Sequence, residues 1–335
     1  MKLKLLLKRG ALVAAANWQT IAIQFVAETT FQVLLAVPIV GAAILVTVLL
    51  GSDPTDLLRG GLREIFTAIA GTLTAEPIAL VAFIGSFGIV LVGGSVLMFL
   101  VKGGTVDILA SAEADAGPLE HEPLTYDGVM SRAARFSLTR FVAGCRRLFR
   151  RYLVLGLALI VVYGLSGGAY LAFVLYGYRN VGDRILAIRW TAIAALSAAL
   201  LVAWITIVNW FYLLVQIAIA AEDVGPAAAC VAVARFIRTE FRELAGVFGV
   251  TLVLVVAGTL ASTLASPALG LIAFVPLVGL AVIPLQILAF VMRGLVFQYL
   301  GLAALTAYVA LYHRHLARRA DAAVVEQLRP ATGSA

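Results

Sequence analysis

Side chains that commonly carry out chemistry are few and scattered in this sequence. His313 and His315 form an H-x-H pair near the C-terminus. Positions i and i+2 of a helix point to different faces, so this pair indicates two basic residues at a membrane interface rather than a metal site. His121 stands between two glutamates in a polar stretch that holds no further ligand cluster. The positions of the three histidines therefore do not predict a metal centre.

The motifs that hold phosphate, zinc or an activated serine are also absent from the sequence. There is no Walker loop, no zinc-metalloprotease motif and no nucleophile elbow. Cys145 and Cys230 lie far apart in the chain and match no metal-ligand spacing. We therefore expect a non-enzymatic protein with no catalytic residue, no cofactor and no bound metal.

Polar side chains inside apolar segments are the best pointers to function, because charge is costly in lipid. Glu28 and Arg293 are the ionisable residues of this kind, and Asn209 and Gln216 are prominent neutral ones. A mid-membrane cavity lined by Glu28, Asn209 and Gln216 would favour a transporter. A filled core would favour a scaffold.

The composition identifies the environment that must hold these residues. Hydrophobic residues make up 62% of the 335 residues and charged residues 13%, against about 45–50% and about 25% in globular proteins. The net charge is +7, and the basic residues border apolar segments. Membrane lipids with anionic headgroups are therefore the expected partners, and nucleic acid is not. The predicted fold is an all-α polytopic transmembrane helical bundle.

Six segments are long enough to cross the hydrocarbon core, which takes about 20 apolar residues. We predict crossings at about 20–50, 78–101, 152–176, 190–220, 244–265 and 293–313. The proline-containing stretch 267–292 is interpreted as a re-entrant or kinked element on the outer side. Alternatively, the sixth helix is long and bent and ends near Met292, with 294–312 along the inner surface. The transmembrane domain is predicted to cover 1–316, and 317–335 forms a cytoplasmic tail.

Basic residues predict the orientation of the chain, since they are enriched in cytoplasmic loops. Of the 25 Lys and Arg residues, 19 fall in the two termini and in the second-to-third and fourth-to-fifth connections. Five fall on the opposite side, and Arg293 is left over. Both termini are therefore predicted to be cytoplasmic, which requires an even number of crossings.

A basic amphipathic segment precedes each odd-numbered crossing. These helices are predicted at 2–17, about 127–149 and about 226–243, and Ala134-Arg135-Phe136 recurs as Ala234-Arg235-Phe236. The chain is thus predicted to consist of three units, each an interfacial helix followed by a membrane hairpin. The arginines expected to contact lipid headgroups are Arg132, Arg135, Arg146, Arg150, Arg235, Arg238 and Arg242. The alternative is that these helices pack on the bundle and cap it.

Segments of the second half together resemble a known group of proteins. They are Glu222-Asp223-Val224-Gly225-Pro226 leading into the Ala234-Arg235-Phe236 helix, the apolar hairpin after it, and a last span that closes on YVALYHRHL. Over roughly 126–316 the chain resembles poorly characterised bacterial multi-pass membrane proteins related to the membrane domain fused to glycerophosphodiester phosphodiesterases. The resemblance implies a bacterial inner-membrane protein with six helices and no established activity. In the fused proteins the chemistry would belong to a separate soluble domain, so no catalytic residue is carried over.

The sequence thus favours a non-enzymatic protein that scaffolds partners or organises lipid. The first alternative is a transporter or lipid translocator with a cavity between the three hairpins. A weaker alternative is an enzyme that acts on a lipid substrate. No particular protein partner is predicted.

Overall fold

The computed structural model describes residues 3–50, 75, 77–119, 126–179, 184–273 and 278–328, and these residues are almost entirely helical. The helices are α1 (Leu3–Ala16), α2 (Trp18–Leu50), α3 (Pro77–Asp115), α4 (Tyr126–Ala133), α5 (Leu138–Arg179), α6 (Arg184–Glu222), α7 (Pro226–Ala273) and α8 (Val278–Leu328). No strand occurs within the described ranges. The prediction of an all-α fold is confirmed.

Six of these helices are long and apolar enough to cross a membrane, namely α2, α3, α5, α6, α7 and α8. The 42 residues of α5 extend about 63 Å at 1.5 Å per residue, twice the roughly 30 Å of the hydrocarbon core. A helix of this length must continue well beyond the membrane. The chain is an integral, multi-pass membrane protein whose helices have both a membrane part and an extension.

The predicted re-entrant element is not a separate element in the structure. Helix α7 continues to Ala273 and α8 begins at Val278, so the described part of 267–292 belongs to the ends of two long helices. The alternative of a helix that ends near Met292 is also wrong, because α8 continues to Leu328. Pro284 lies inside α8 and removes one backbone donor, which does not break a helix of 51 residues. Residues 274–277 lie outside the described residues.

The predicted amphipathic helix at 127–149 is interrupted. Helix α4 ends at Ala133 and α5 begins at Leu138, so Ala134-Arg135-Phe136 is not helical. Its sequence counterpart, Ala234-Arg235-Phe236, lies within α7. The repeated residues therefore do not share a conformation. The helices predicted at 2–17 and 226–243 are present as α1 and the first part of α7, which bends at Glu240 (φ −118°, ψ 25°).

The chain divides into two compact units, Met1–Ala22 with Lys102–Ala335, and Ile23–Val101. In the second unit, Gly94 of α3 lies directly against the ring of Phe31 of α2. The absence of a side chain at Gly94 permits this contact.

The core of the first unit lies where its helices carry basic residues. We call this part the basic end: α1, 102–119, α4, 134–152, 212–244 and 302–322. Tyr152, Phe236 and Tyr312 are among its largest fully buried side chains. By contrast, 0% of the most apolar 18-residue stretch of α5 is buried. Protein packing thus holds the basic end together, whereas the apolar stretch of α5 is left to face lipid.

Candidate functional site

A buried carboxylate joins three helices of the basic end. Arg9 of α1 contacts one oxygen of Glu113 on α3 at 2.9 Å, and it also donates to the backbone carbonyls of Glu113 and Gly117. The other carboxylate oxygen lies 2.5 Å from Nδ1 of His313 on α8. The Glu113 side chain is only 7% exposed. A charge this deeply buried is tolerated because charged or polar groups contact both oxygens.

Asn17 lies at the junction between α1 and α2 and is fully buried. Its side-chain amide donates to the carbonyls of Val13 (2.9 Å) and Ala133 (2.8 Å). Its side-chain oxygen accepts from the backbone N–H groups of Arg135 (2.9 Å) and Phe136 (3.1 Å). One side chain thereby satisfies backbone groups at the break between α4 and α5 and at the end of α1.

Further arginines of the basic end also form ion pairs between elements. The pairs are Arg135–Asp115 (3.1 Å), Arg147–Asp107 (2.5 Å), Arg151–Asp223 (2.5 Å) and Arg318–Glu240 (2.8 Å). A hydrogen bond from Arg151 and the positive charge of its guanidinium hold the pKa of Asp223 below its ordinary value. These arginines connect the elements of the basic end.

A second class of arginines faces outward and has no ion pair among the described residues. Among the seven arginines predicted to contact lipid, this class comprises Arg146, Arg150, Arg235, Arg238 and Arg242, all exposed. Arg150 and Arg242 lie within one turn of the apolar stretches that begin at Tyr152 and Leu244. Of the other two arginines predicted to contact lipid, Arg132 is exposed and Arg135 binds Asp115.

The opposite faces of these helices pack on protein. Phe141, Cys145 and Leu148 of α5 are buried, and a Cβ on Gly104 of α3 would lie 2.7 Å from the Cys145 Sγ. Phe236 of α7 is likewise fully buried. The apolar faces follow the alternative expected from the sequence, in which the amphipathic segments pack on the bundle. Helix α5 is continuous from Leu138, so its amphipathic part is not a separate surface helix.

Asn209 and Gln216, the neutral polar candidates of the first unit, do not line the same cavity. Asn209 lines a cavity of the first unit, whereas Gln216, two turns along α6, is fully buried in the packed core. Glu28 belongs to the second unit, where the amide of Gln32 lies 3.5 Å from its carboxylate. Arg293 is exposed over the ring of Phe297. The Gln216 amide and the nearby Tyr212 hydroxyl have no hydrogen-bond partner beyond one another among the described residues.

The cavity that Asn209 lines has a lining that was not predicted from the sequence. It has a volume of about 310 Å³ and lies between α6, α7 and α8, with Lys102 of α3 at its wall. The Lys102 ammonium is 5.5 Å from the centre of the Tyr212 ring, a cation–π distance. Trp210 donates from Nε1 to the Tyr308 hydroxyl at 3.1 Å. In the sequence, Lys102 is only the charge that ends an apolar run, and no local spacing shows that it meets α6.

The two C-terminal histidines have different partners. His313 binds Glu113, whereas His315 lies against the ring of Phe236 and near the Thr239 hydroxyl. Among the described residues, no group of three or more His, Cys, Asp or Glu side chains has a metal-binding arrangement. His121 lies outside the described residues.

The fold and the site define a class: a multi-pass helical membrane protein with an ion-paired, basic end. No protein-family model, curated protein or solved structure matches the chain. The resemblance inferred from the sequence therefore stays a prediction.

Proposed function

We propose that this protein is a non-enzymatic, lipid-organising component of a bacterial inner membrane, related to the membrane domain fused to glycerophosphodiester phosphodiesterases. In this proposal the basic end is cytoplasmic and its outward arginines bind anionic lipid headgroups. The division of the arginines into two classes carries the proposal. Inward arginines bind acidic residues of the protein, while Arg146, Arg150, Arg235, Arg238 and Arg242 are exposed beside apolar helices without an ion pair among the described residues.

Electrostatics supports lipid headgroups as the partners of these outward arginines. Each basic residue near an anionic membrane surface contributes about 1 kcal/mol to binding. The attraction decays over a Debye length of about 8 Å at physiological ionic strength. Arg150 and Arg242 lie within one turn of the apolar stretches, so they are the closest to the headgroup layer. The guanidinium group also binds phosphate through two parallel hydrogen bonds.

The test uses the full chain in nanodiscs with increasing fractions of phosphatidylglycerol in phosphatidylcholine. We expect the thermal midpoint to rise with the anionic fraction and the rise to shrink at high salt. Replacing the five outward arginines with Gln should remove the dependence. Replacing them with Lys should retain most of it, because the charge is kept. Equal dependence on phosphatidylglycerol in the wild-type protein and the Gln variant would contradict the proposal.

The alternative function, a transporter or lipid translocator, needs a polar path through the membrane. The described structure offers Asn209 at a cavity but buries Gln216 in the core. Asn209 and Gln216 therefore do not line the same cavity, as a shared polar path would require. This alternative would gain support from lipid or solute movement in reconstituted vesicles that depends on Asn209.

A further inference from the structure

The cavity at α6, α7 and α8 is lined by hydrogen-bond donors and apolar surface. Asn209 uses its side-chain oxygen to accept from the Tyr163 hydroxyl, and its amide nitrogen has no acceptor among the described residues. Tyr308 accepts from Trp210, which leaves its own O–H as a donor with no acceptor in the described part of the chain. Lys102 adds a positive charge. No acidic side chain belongs to the described lining. This donor set fits a ligand rich in anionic and ester oxygens.

The depth of the cavity fits the hydrocarbon part of such a ligand. On each of the three helices the lining residues fall within a stretch of eight residues, namely 206–213 on α6, 248–255 on α7 and 301–308 on α8. At 1.5 Å per residue this corresponds to about 10 Å along each helix. The deep positions are Leu252, Val255 and Gly301, together with Thr206, whose hydroxyl donates to the carbonyl of Val202. An acyl chain lying along the helices matches this apolar depth.

The position of the cavity relative to the membrane surface also fits a lipid. Lys102 directly follows the uncharged run 78–101, so its ammonium belongs at the boundary between headgroups and hydrocarbon. Tyr308 lies at the same end of the cavity, seven positions from Gly301 on α8. Lys102 and the Tyr308 hydroxyl thus lie at the headgroup end of the cavity, and Asn209 lies about one helical turn deeper than Tyr212, next to the apolar depth. A volume of about 310 Å³ falls within the usual range of ligand pockets, about 300–1,000 Å³.

We propose that this cavity is a specific site for one anionic phospholipid, with its phosphate at Lys102 and the start of an acyl chain between α6, α7 and α8. Lys102 supplies the charge, while the Tyr308 O–H and the Asn209 amide donate to phosphate or ester oxygens. This site uses none of the five outward arginines. Experiments can therefore test this site independently of the lipid binding proposed for the surface arginines.

The experiment uses the full-length protein and a phosphatidylglycerol that carries a photoreactive diazirine in its acyl chain. We expect cross-links on the segment Thr251–Val255 of α7. Unlabelled phosphatidylglycerol should compete for them more strongly than phosphatidylcholine of the same chain length. Glycerol phosphate, which has the headgroup chemistry but no chain, should not compete. Equal competition by phosphatidylcholine, or competition by glycerol phosphate, would overturn the proposal.

Two substitutions test the two halves of the site. Lys102→Gln should weaken phosphatidylglycerol binding about five-fold, the equivalent of about 1 kcal/mol for one charge near the surface, whereas Lys102→Arg should retain it. Gly301→Leu should abolish the cross-links, because a Cβ at Gly301 meets open space and a larger side chain would fill the cavity. Gly164→Leu is the matched control, because Gly164 also has open space around it but is not among the lining residues.

The remaining outcomes separate this site from the surface arginines. The five outward arginines are also replaced with Gln. If this variant still cross-links to α7, the cavity is a site distinct from the surface arginines. Loss of the cross-links in this variant overturns the proposal. Unchanged cross-linking in Gly301→Leu, with Gly164→Leu also unchanged, overturns the assignment to this cavity. Thermal midpoints of all variants establish that each is folded before its cross-links are compared.

Discussion

At the scale of single residues, Asn17 controls the conformation around two helix ends. Its side chain has four hydrogen-bond contacts, to Val13, Ala133, Arg135 and Phe136. Asn17→Ala leaves buried backbone groups unsatisfied, so we expect a loss of about 1–3 kcal/mol in unfolding free energy. Asn17→Asp keeps an acceptor for Arg135 and Phe136 but removes both donated bonds. Thermal unfolding in detergent measures the stability of the two variants. An unfolding midpoint of Asn17→Ala equal to that of the wild-type protein would contradict this role of Asn17.

A second prediction at the scale of single residues concerns Glu113, whose buried carboxylate contacts both Arg9 and His313. Glu113→Gln leaves Arg9 without its anionic partner, and breaking a buried ion pair costs about 3–5 kcal/mol. Asp115→Asn is the control, since the Asp115 side chain is 51% exposed in its pair with Arg135. An exposed pair contributes only about 0–1 kcal/mol. The measured quantity is the thermal midpoint, and equal shifts in the two variants would contradict the buried role of Glu113.

The residue scale also shows what local sequence can predict. The helical period of the arginines indicated an exposed basic face, and Arg146, Arg150, Arg235, Arg238 and Arg242 are exposed. The partner of Arg135 was not predictable, because Asp115 comes from a different helix and the pairing depends on tertiary packing. The role of Asn17 was not predictable, because nothing in the sequence distinguishes this asparagine from any other polar residue next to a tryptophan.

At the scale of elements, α1 depends on a close contact with α8. A Cβ at Gly10 would collide with the carbonyl oxygen of Ala303 and lie 2.9 Å from the backbone nitrogen of Ala307. Gly10→Leu should therefore detach α1 and expose Lys8 and Arg9 to trypsin, with faster cleavage than in the wild-type protein.

Gly249→Leu is the matched control for this prediction, because a Cβ there has no neighbour within 4 Å. It should leave the tryptic pattern unchanged. Cleavage of the Gly10→Leu protein at the wild-type rate would show that α1 does not need this contact.

The elements themselves were largely predictable, and their junctions were not. Length and apolar composition indicated six membrane helices, and the described part of the chain contains six helices that are long and apolar enough to span a membrane. The break at 134–137 was missed because the amphipathic period continues across it, while Asn17, distant in sequence, accepts hydrogen bonds from the backbone of the non-helical residues. The stretch 267–292 was expected to be re-entrant or kinked because prolines break helices, but Pro284 lies inside α8, and a long membrane helix tolerates one proline.

At the scale of the whole molecule, the charge asymmetry predicts the topology. Reporter fusions after Gly51 and Tyr178 should lie outside the cytoplasm, and fusions after Gly117 and at the C-terminus should lie inside it. The reason is that 19 of the 25 Lys and Arg residues fall on the side of the two termini. An alkaline phosphatase fusion that is active at the C-terminus would contradict the predicted topology, in which six crossings place both termini in the cytoplasm.

The central claim is that the outward arginines of the basic end select anionic lipid, and the lipid around the protein tests it most directly. The full chain is extracted from membranes with a polymer that keeps the surrounding lipid, and the lipid is quantified by mass spectrometry. We expect anionic phospholipid to be enriched over the bulk membrane, and the enrichment to fall when Arg146, Arg150, Arg235, Arg238 and Arg242 are replaced with Gln but not with Lys. Bulk lipid composition around the wild-type protein, or the same enrichment around the Gln variant, would contradict the claim.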